Sequence, residues 1–134
     1  MFLGVTAIYT KLGTQSKADT SNSVNARICD SGNTCCNIEP LSSSGDNIFG
    51  AVGKLSTIPG EKLGQCAKTK FKREDLKLTL TIDGNDGFKL DWVKLRLASG
   101  EIQTCRFNGW IDGDSGYSPS QTVTCQGIVI FFST

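Results

Sequence analysis

Leu76, Leu78, Leu80 and Ile82 alternate with Lys77, Thr79, Thr81 and Asp83. A strict period of two marks a strand with one buried face. Val93, Leu95 and Leu97 repeat the pattern against Lys94 and Arg96. Between these strands lies Asp83-Gly84-Asn85-Asp86-Gly87, whose residues tolerate the positive φ angles of a tight turn. Ser99-Gly100 turns the chain again into a strand from Ile102 to Phe107. Three strands at short spacing predict an antiparallel sheet. Upstream, Val5–Tyr9 is read as a first strand and Ser23–Cys29 as a second, with Val24, Ala26 and Ile28 inward. Further strands are expected in Ile48–Leu55 and Leu63–Phe71, and a last one across Gln121–Phe132 after a loop at Gly113–Ser120. No segment has the period or length of a convincing helix. The pattern predicts an all-β antiparallel sandwich of about eight strands.

The chain's 134 residues amount to one domain, taken here as 1–134, with residues 113–134 forming a loop and an apolar C-terminal strand. Fifteen glycines favour turns and short strands. Fourteen basic and 13 acidic side chains leave a net charge of +1, without the basic excess of a dedicated nucleic-acid binder.

Six cysteines, Cys29, Cys35, Cys36, Cys66, Cys105 and Cys125, accompany no histidine. Neither Cys-x-x-Cys pairs nor Cys/His mixtures are present, so three disulfides are expected rather than zinc, with the pairing open. Disulfides in a small domain imply an oxidising compartment, hence a secreted, extracellular protein. Met1–Ala7 lacks the basic region and apolar run of a secretion leader, so the chain reads as one whose leader has been removed.

Chemistry is sparse. Gly113-Asp114-Ser115-Gly116 duplicates the tetrapeptide around a serine-protease nucleophile, but no histidine is there to take the serine proton. With no other nucleophile–base pair, an enzyme is not expected. Lys68, Lys70 and Lys72 sit at alternate positions, so on a strand they line one face. That face is either a plain solvated edge or a positive stripe for anionic headgroups or acidic glycans. Phe88 beside Lys89 offers either an apolar tip on a turn or a cap on the sandwich end. Trp92 and Trp110 are read as core-edge anchors in preference to ligand-stacking aromatics. Ile128–Phe132, the most apolar run, is a buried central strand or a template for self-association.

The order of parts from Leu76 to Ile111 resembles the C-terminal half of the PLAT domain, the β-sandwich named for polycystin, lipoxygenase and alpha-toxin. Asp91-Trp92 leading into Val93–Leu97, and Asn108-Gly109-Trp110-Ile111 near the family's Asn-x-Trp-Leu element, carry the resemblance. It covers roughly the final 60 residues well and the N-terminal half by strand order. The resemblance implies a non-catalytic binding module that engages a membrane surface, glycan or protein through loops at one end of the sandwich. It also implies a calcium site at those loops, drawn from Asp19, Asp83, Asn85 and Asp86, although Gly13–Ser23 departs from the calcium-binding pattern and places Ser21 where an acid is expected. Two other readings stand beside it. One is a matrix, secretion or fibre protein that forms homo-oligomers through its C-terminal strand; the other is a toxin or defence component directed to membranes.

Overall fold

The computed structural model describes residues 2–43, 45, 48–72 and 74–127. In chain order the strands are β1 (Phe2–Leu3), β2 (Val5–Leu12), β3 (Ser23–Cys29), β4 (Cys35–Ser42), β5 (Leu55–Thr57), β6 (Phe71–Lys72), β7 (Lys77–Asp83), β8 (Leu90–Leu97), β9 (Ile102–Arg106), β10 (Ser120–Thr124) and β11 (Gln126–Gly127). A four-stranded sheet runs β10-β7-β3-β4 and a five-stranded sheet β11-β9-β8-β2-β5, every pairing antiparallel. Strands β1 and β6 form a separate short pair. No helix among the described residues is long and apolar enough to cross a membrane.

The period-two pattern is realised directly. Leu78, Leu80 and Ile82 of β7 turn inward beside Val24, Ala26 and Ile28 of β3. Ile8 and Leu12 of β2 and Val93, Leu95 and Leu97 of β8 supply the other inner face. These side chains share one continuous core between the sheets. Burying a large aliphatic side chain contributes roughly 1.5–3 kcal/mol, which makes this alternation the main support of the fold.

Several expectations are corrected. Ile48–Leu55 is a run of turns and strand β5 starts at Leu55, because Ile48 and Phe49 bury consecutive side chains and Gly53 takes φ 71°. Leu63–Phe71 holds a 3-10 helix at Gly64–Ala67, preceded by another at Gly60–Lys62, and only its last residue, Phe71, enters a strand. Leu63 and Cys66, three residues apart, are the buried positions before Phe71, a spacing that suits a 3-10 turn and not a strand. Strand β4 has no counterpart in the sequence reading; it is a sheet edge, where Pro40 costs no ladder hydrogen bond.

The expected last strand breaks at Cys125. Its N–H donates to the Leu76 carbonyl at 2.7 Å, its sulfur bonds Cys105 of β9, and the chain passes from the four-stranded to the five-stranded sheet. Residues 128–134, on which the self-association reading rests, lie outside the described residues. All six cysteines are bridged, as Cys29–Cys35, Cys36–Cys66 and Cys105–Cys125.

Candidate functional site

The strand registers sort the connections into two ends. The β2–β3 loop (13–22), the turns at 48–54, the β7–β8 turn (84–89) and the β9–β10 loop (107–119) gather at one end. The β3–β4 turn, the 3-10 segments, β6 and the β8–β9 turn lie at the other.

At the first end the loops are tied to one another by backbone. Gly13 N–H donates to Lys89 O at 2.8 Å and Lys89 N–H to Ala18 O at 3.1 Å. Thr20 N–H reaches Phe49 O at 2.8 Å, and Phe88 and Ile111 exchange both hydrogen bonds. Gly113 N–H donates to Gly84 O at 3.1 Å, an approach that glycine alone allows, since a Cβ there would lie 2.2 Å from that oxygen.

These ties shape an open cleft of about 290 Å³ lined by Ser16, Lys17, Asn85, Asp86, Gly87, Trp110, Asp112 and Tyr117. Trp110 is half-buried, whereas Tyr117 is 56% exposed at the rim. Val52 at 46% and Leu55 at 64% are the other large exposed apolar side chains among the described residues. All three belong to this end of the sandwich. Tyr117 was legible only as part of a loop after a glycine-rich turn, and its partnership with Trp110 needs the folded Asp112–Ser118 contact, an N–H···O bond of 2.9 Å.

The residues singled out in the sequence do not form one site. Phe88 is fully buried and stacks on Phe49 with ring centroids 5.4 Å apart, so it caps the core and offers no exposed tip. Lys89 stays at the loop end beside Gly13 and Ala18. Lys68, Lys70 and Lys72 lie at the opposite end and share no strand face: Lys68 ends a 3-10 turn, Lys70 is in a connection, and Lys72 alone is in a strand. Trp92 is half-buried, with the Lys94 ammonium 4.5 Å over its ring.

Of the acidic set, Asp86 is engaged in holding two loops together. Its carboxylate accepts the Ser21 N–H at 3.0 Å and the Thr20 hydroxyl at 3.2 Å. The same hydroxyl also contacts the Asp86 carbonyl, and Asn22 Oδ1 accepts the Asp86 N–H at 2.8 Å. No three Asp, Glu, Cys or His side chains converge as a metal-holding group among the described residues. Asp19, Asp83 and Asp86 as placed thus make no such carboxylate group by themselves.

The far end holds the shifted carboxyls. Asp30 is buried and accepts N–H bonds from Lys72, Thr34 and Gly32, each at 2.9 Å. The Lys72 bond is the largest influence and, with the others, outweighs burial to lower the Asp30 pKa. Glu74 is lowered chiefly by the Ser31 hydroxyl and then by the Ser31 backbone N–H.

No family model matches the chain, and no curated protein matches it. Solved structures do. Coral 8R-lipoxygenase, described as calcium-activated via a C2-like domain, superposes with a TM-score of 0.65 at 12% identity, over 93% of this chain and 17% of that one. The alpha-toxin of Clostridium absonum gives 0.61 at 19% identity, over 92% of this chain and 31% of the toxin. The alpha-toxin of an avian strain of Clostridium perfringens gives 0.60 at 15%, covering 94% and 32%. This chain thus spans between a sixth and a third of the length of these neighbours. Two antiparallel sheets in this order, superposing on these proteins, give the chain the fold of a PLAT-type β-sandwich.

Proposed function

We propose that this chain is a non-catalytic binding module that docks on a membrane surface through its loop end. The observation that carries the reading is that Val52, Leu55 and Tyr117, the large apolar side chains left exposed among the described residues, all lie on that end. Burying them at a lipid interface gains roughly 25 cal/mol per Å² of apolar surface, and a tyrosine at the rim suits the headgroup boundary. Backbone ties between the loops pre-organise this surface, so little ordering entropy opposes docking. The chain carries no histidine, so no Ser–His or Cys–His pair is available to it.

Three disulfides support an extracellular setting. Calcium enters the reading as an added ligand that the membrane itself would help to coordinate, with Asp83 and Asn85 on the exposed turn.

The test is co-sedimentation with phosphatidylcholine vesicles, with and without phosphatidylserine, in calcium and in EDTA. Wild-type protein should pellet with vesicles, and the Val52→Asp/Tyr117→Asp variant should remain in the supernatant while melting at the wild-type temperature. Equal pelleting of both proteins would remove the loop end from the mechanism. No pelleting of either would leave a protein or glycan as the partner.

A further inference from the structure

The net charge of +1 conceals a separation between the two sheets. The strands of the four-stranded sheet are balanced, with Arg27 and Lys77 against Glu39 and Asp83. Those of the five-stranded sheet carry Lys11, Lys94, Arg96 and Arg106, and Asp91 as their single carboxylate. All four cations stand on the solvent face, because Ile8, Leu12, Val93, Leu95, Leu97 and Cys105 at the alternating positions are buried. Asp91 answers only Lys11, at 3.4 Å.

Register orders these groups. Lys11 lies opposite Trp92 and Trp92 opposite Arg106, a straight row across β2, β8 and β9. Lys94 occupies the next row, opposite Tyr9, and Arg96 the one after. Strands about 4.8 Å apart and alternate residues about 7 Å apart put the cations on a grid about 10 Å by about 14 Å. Beside this grid Tyr9, Leu55, Thr57, Trp92 and Lys94 line a shallow hollow of about 320 Å³. The indole holds the Lys94 ammonium at the rim, while Tyr9 and Leu55 supply apolar surface.

We propose that this sheet face is a second binding surface, adjoining the loop end at Leu55 and extending from it across β8 and β9, that takes a linear acidic polysaccharide. A sugar ring with an anionic substituent matches the hollow: its apolar ring face lies on Tyr9 and Leu55, and its sulfate or carboxylate meets Lys94. Rings further along the chain place their charges on Arg106, Arg96 and Lys11. Charge complementarity selects an anionic partner. The flat, strand-wide shape selects a polymer chain over a bilayer, whose anchoring side chains are at the loop end.

Binding of the intact protein is measured by titration calorimetry at low and physiological salt. The probes are dextran sulfate, polygalacturonate, neutral dextran and phosphatidylserine-containing vesicles. At least one anionic polymer should bind and neutral dextran should not. Lys94→Glu/Arg106→Glu should weaken binding at least about tenfold, whereas Lys68→Glu/Lys70→Glu at the far end should change it less than about twofold. Trp92→Ala should also weaken it, by freeing Lys94. If charge reversal perturbs the thermal melt, Lys94→Gln/Arg106→Gln takes its place. The proposal is overturned by no binding of either polymer at low salt, by equal losses from the two charge pairs, or by binding to vesicles but to neither polymer.

Discussion

Phe49 and Phe88 stack with their rings 5.4 Å apart and 20° from parallel. One comes from the turns before β5 and the other from the exit of the β7–β8 turn, so a single aromatic contact seats two of the loops that frame the cleft. Phe88→Ala should cost about 3–5 kcal/mol of stability, the range for truncating a buried phenylalanine. Denaturant unfolding measures the loss. Hydrogen exchange should show early opening at 48–54 and 84–89, ahead of the sheets.

Gly113 makes a second demand on the same loops. Its N–H bonds Gly84 O, and a Cβ would stand 2.2 Å from that oxygen, against backbone that cannot rotate away. Gly113→Ala should therefore destabilise the protein by about 1–3 kcal/mol. Gly116→Ser, where nothing lies near a Cβ but φ is +90°, separates local backbone strain from collision. Thermal melts of the two variants make the comparison.

The two sheets are also joined covalently where the chain crosses between them at Cys125. Cys105→Ala/Cys125→Ala should lose about 2–5 kcal/mol, as removal of a native disulfide from a small domain typically does. Amides of β10 and β11 should lose exchange protection most, because the crossing then rests on backbone hydrogen bonds.

Acid should act at the far end. Asp30 and Glu74 have folded pKa values below their unfolded ones, so the folded protein resists protonating them. Their contribution is present above the unfolded values, near pH 4, and is lost as pH falls through the lowered folded values. Stability should drop on acidification below about pH 4. Asp30→Asn should be less stable at neutral pH by about 1–3 kcal/mol, because its N–H donors lose a charged acceptor. Its stability should also fall less steeply in acid. Denaturation series at several pH values test both statements.

Much of the sandwich was legible because alternation is a local signal. The runs ending in Ile82 and Leu97 name their buried faces without reference to any other segment. Strand β4 escaped because Pro40 and the Cys35-Cys36 pair disguise its period, a disguise that an edge strand tolerates. The site was less legible for a related reason. Lys68, Lys70 and Lys72 are evenly spaced in sequence, but Gly64 and the 3-10 turns remove the strand that would align them. Phe88 follows a polar turn and reads as its tip; only the pairing with Ile111 and the ring of Phe49 shows that it points inward. Conversely Lys11, Lys94 and Arg106 lie far apart in sequence and become neighbours through strand register.

The vicinal pair Cys35-Cys36 has a consequence for how the chain finds its register. Neighbouring residues of a strand face opposite sides, so Cys35 meets Cys29 across the hairpin while Cys36 turns into the core toward Cys66. A slip of one residue between β3 and β4 would reverse both directions at once and aim each sulfur at the wrong partner. The two bonds thus act as a chemical proofreader: oxidation seals the aligned hairpin, and a misaligned one is left with thiols that reducing agents and isomerases can still attack.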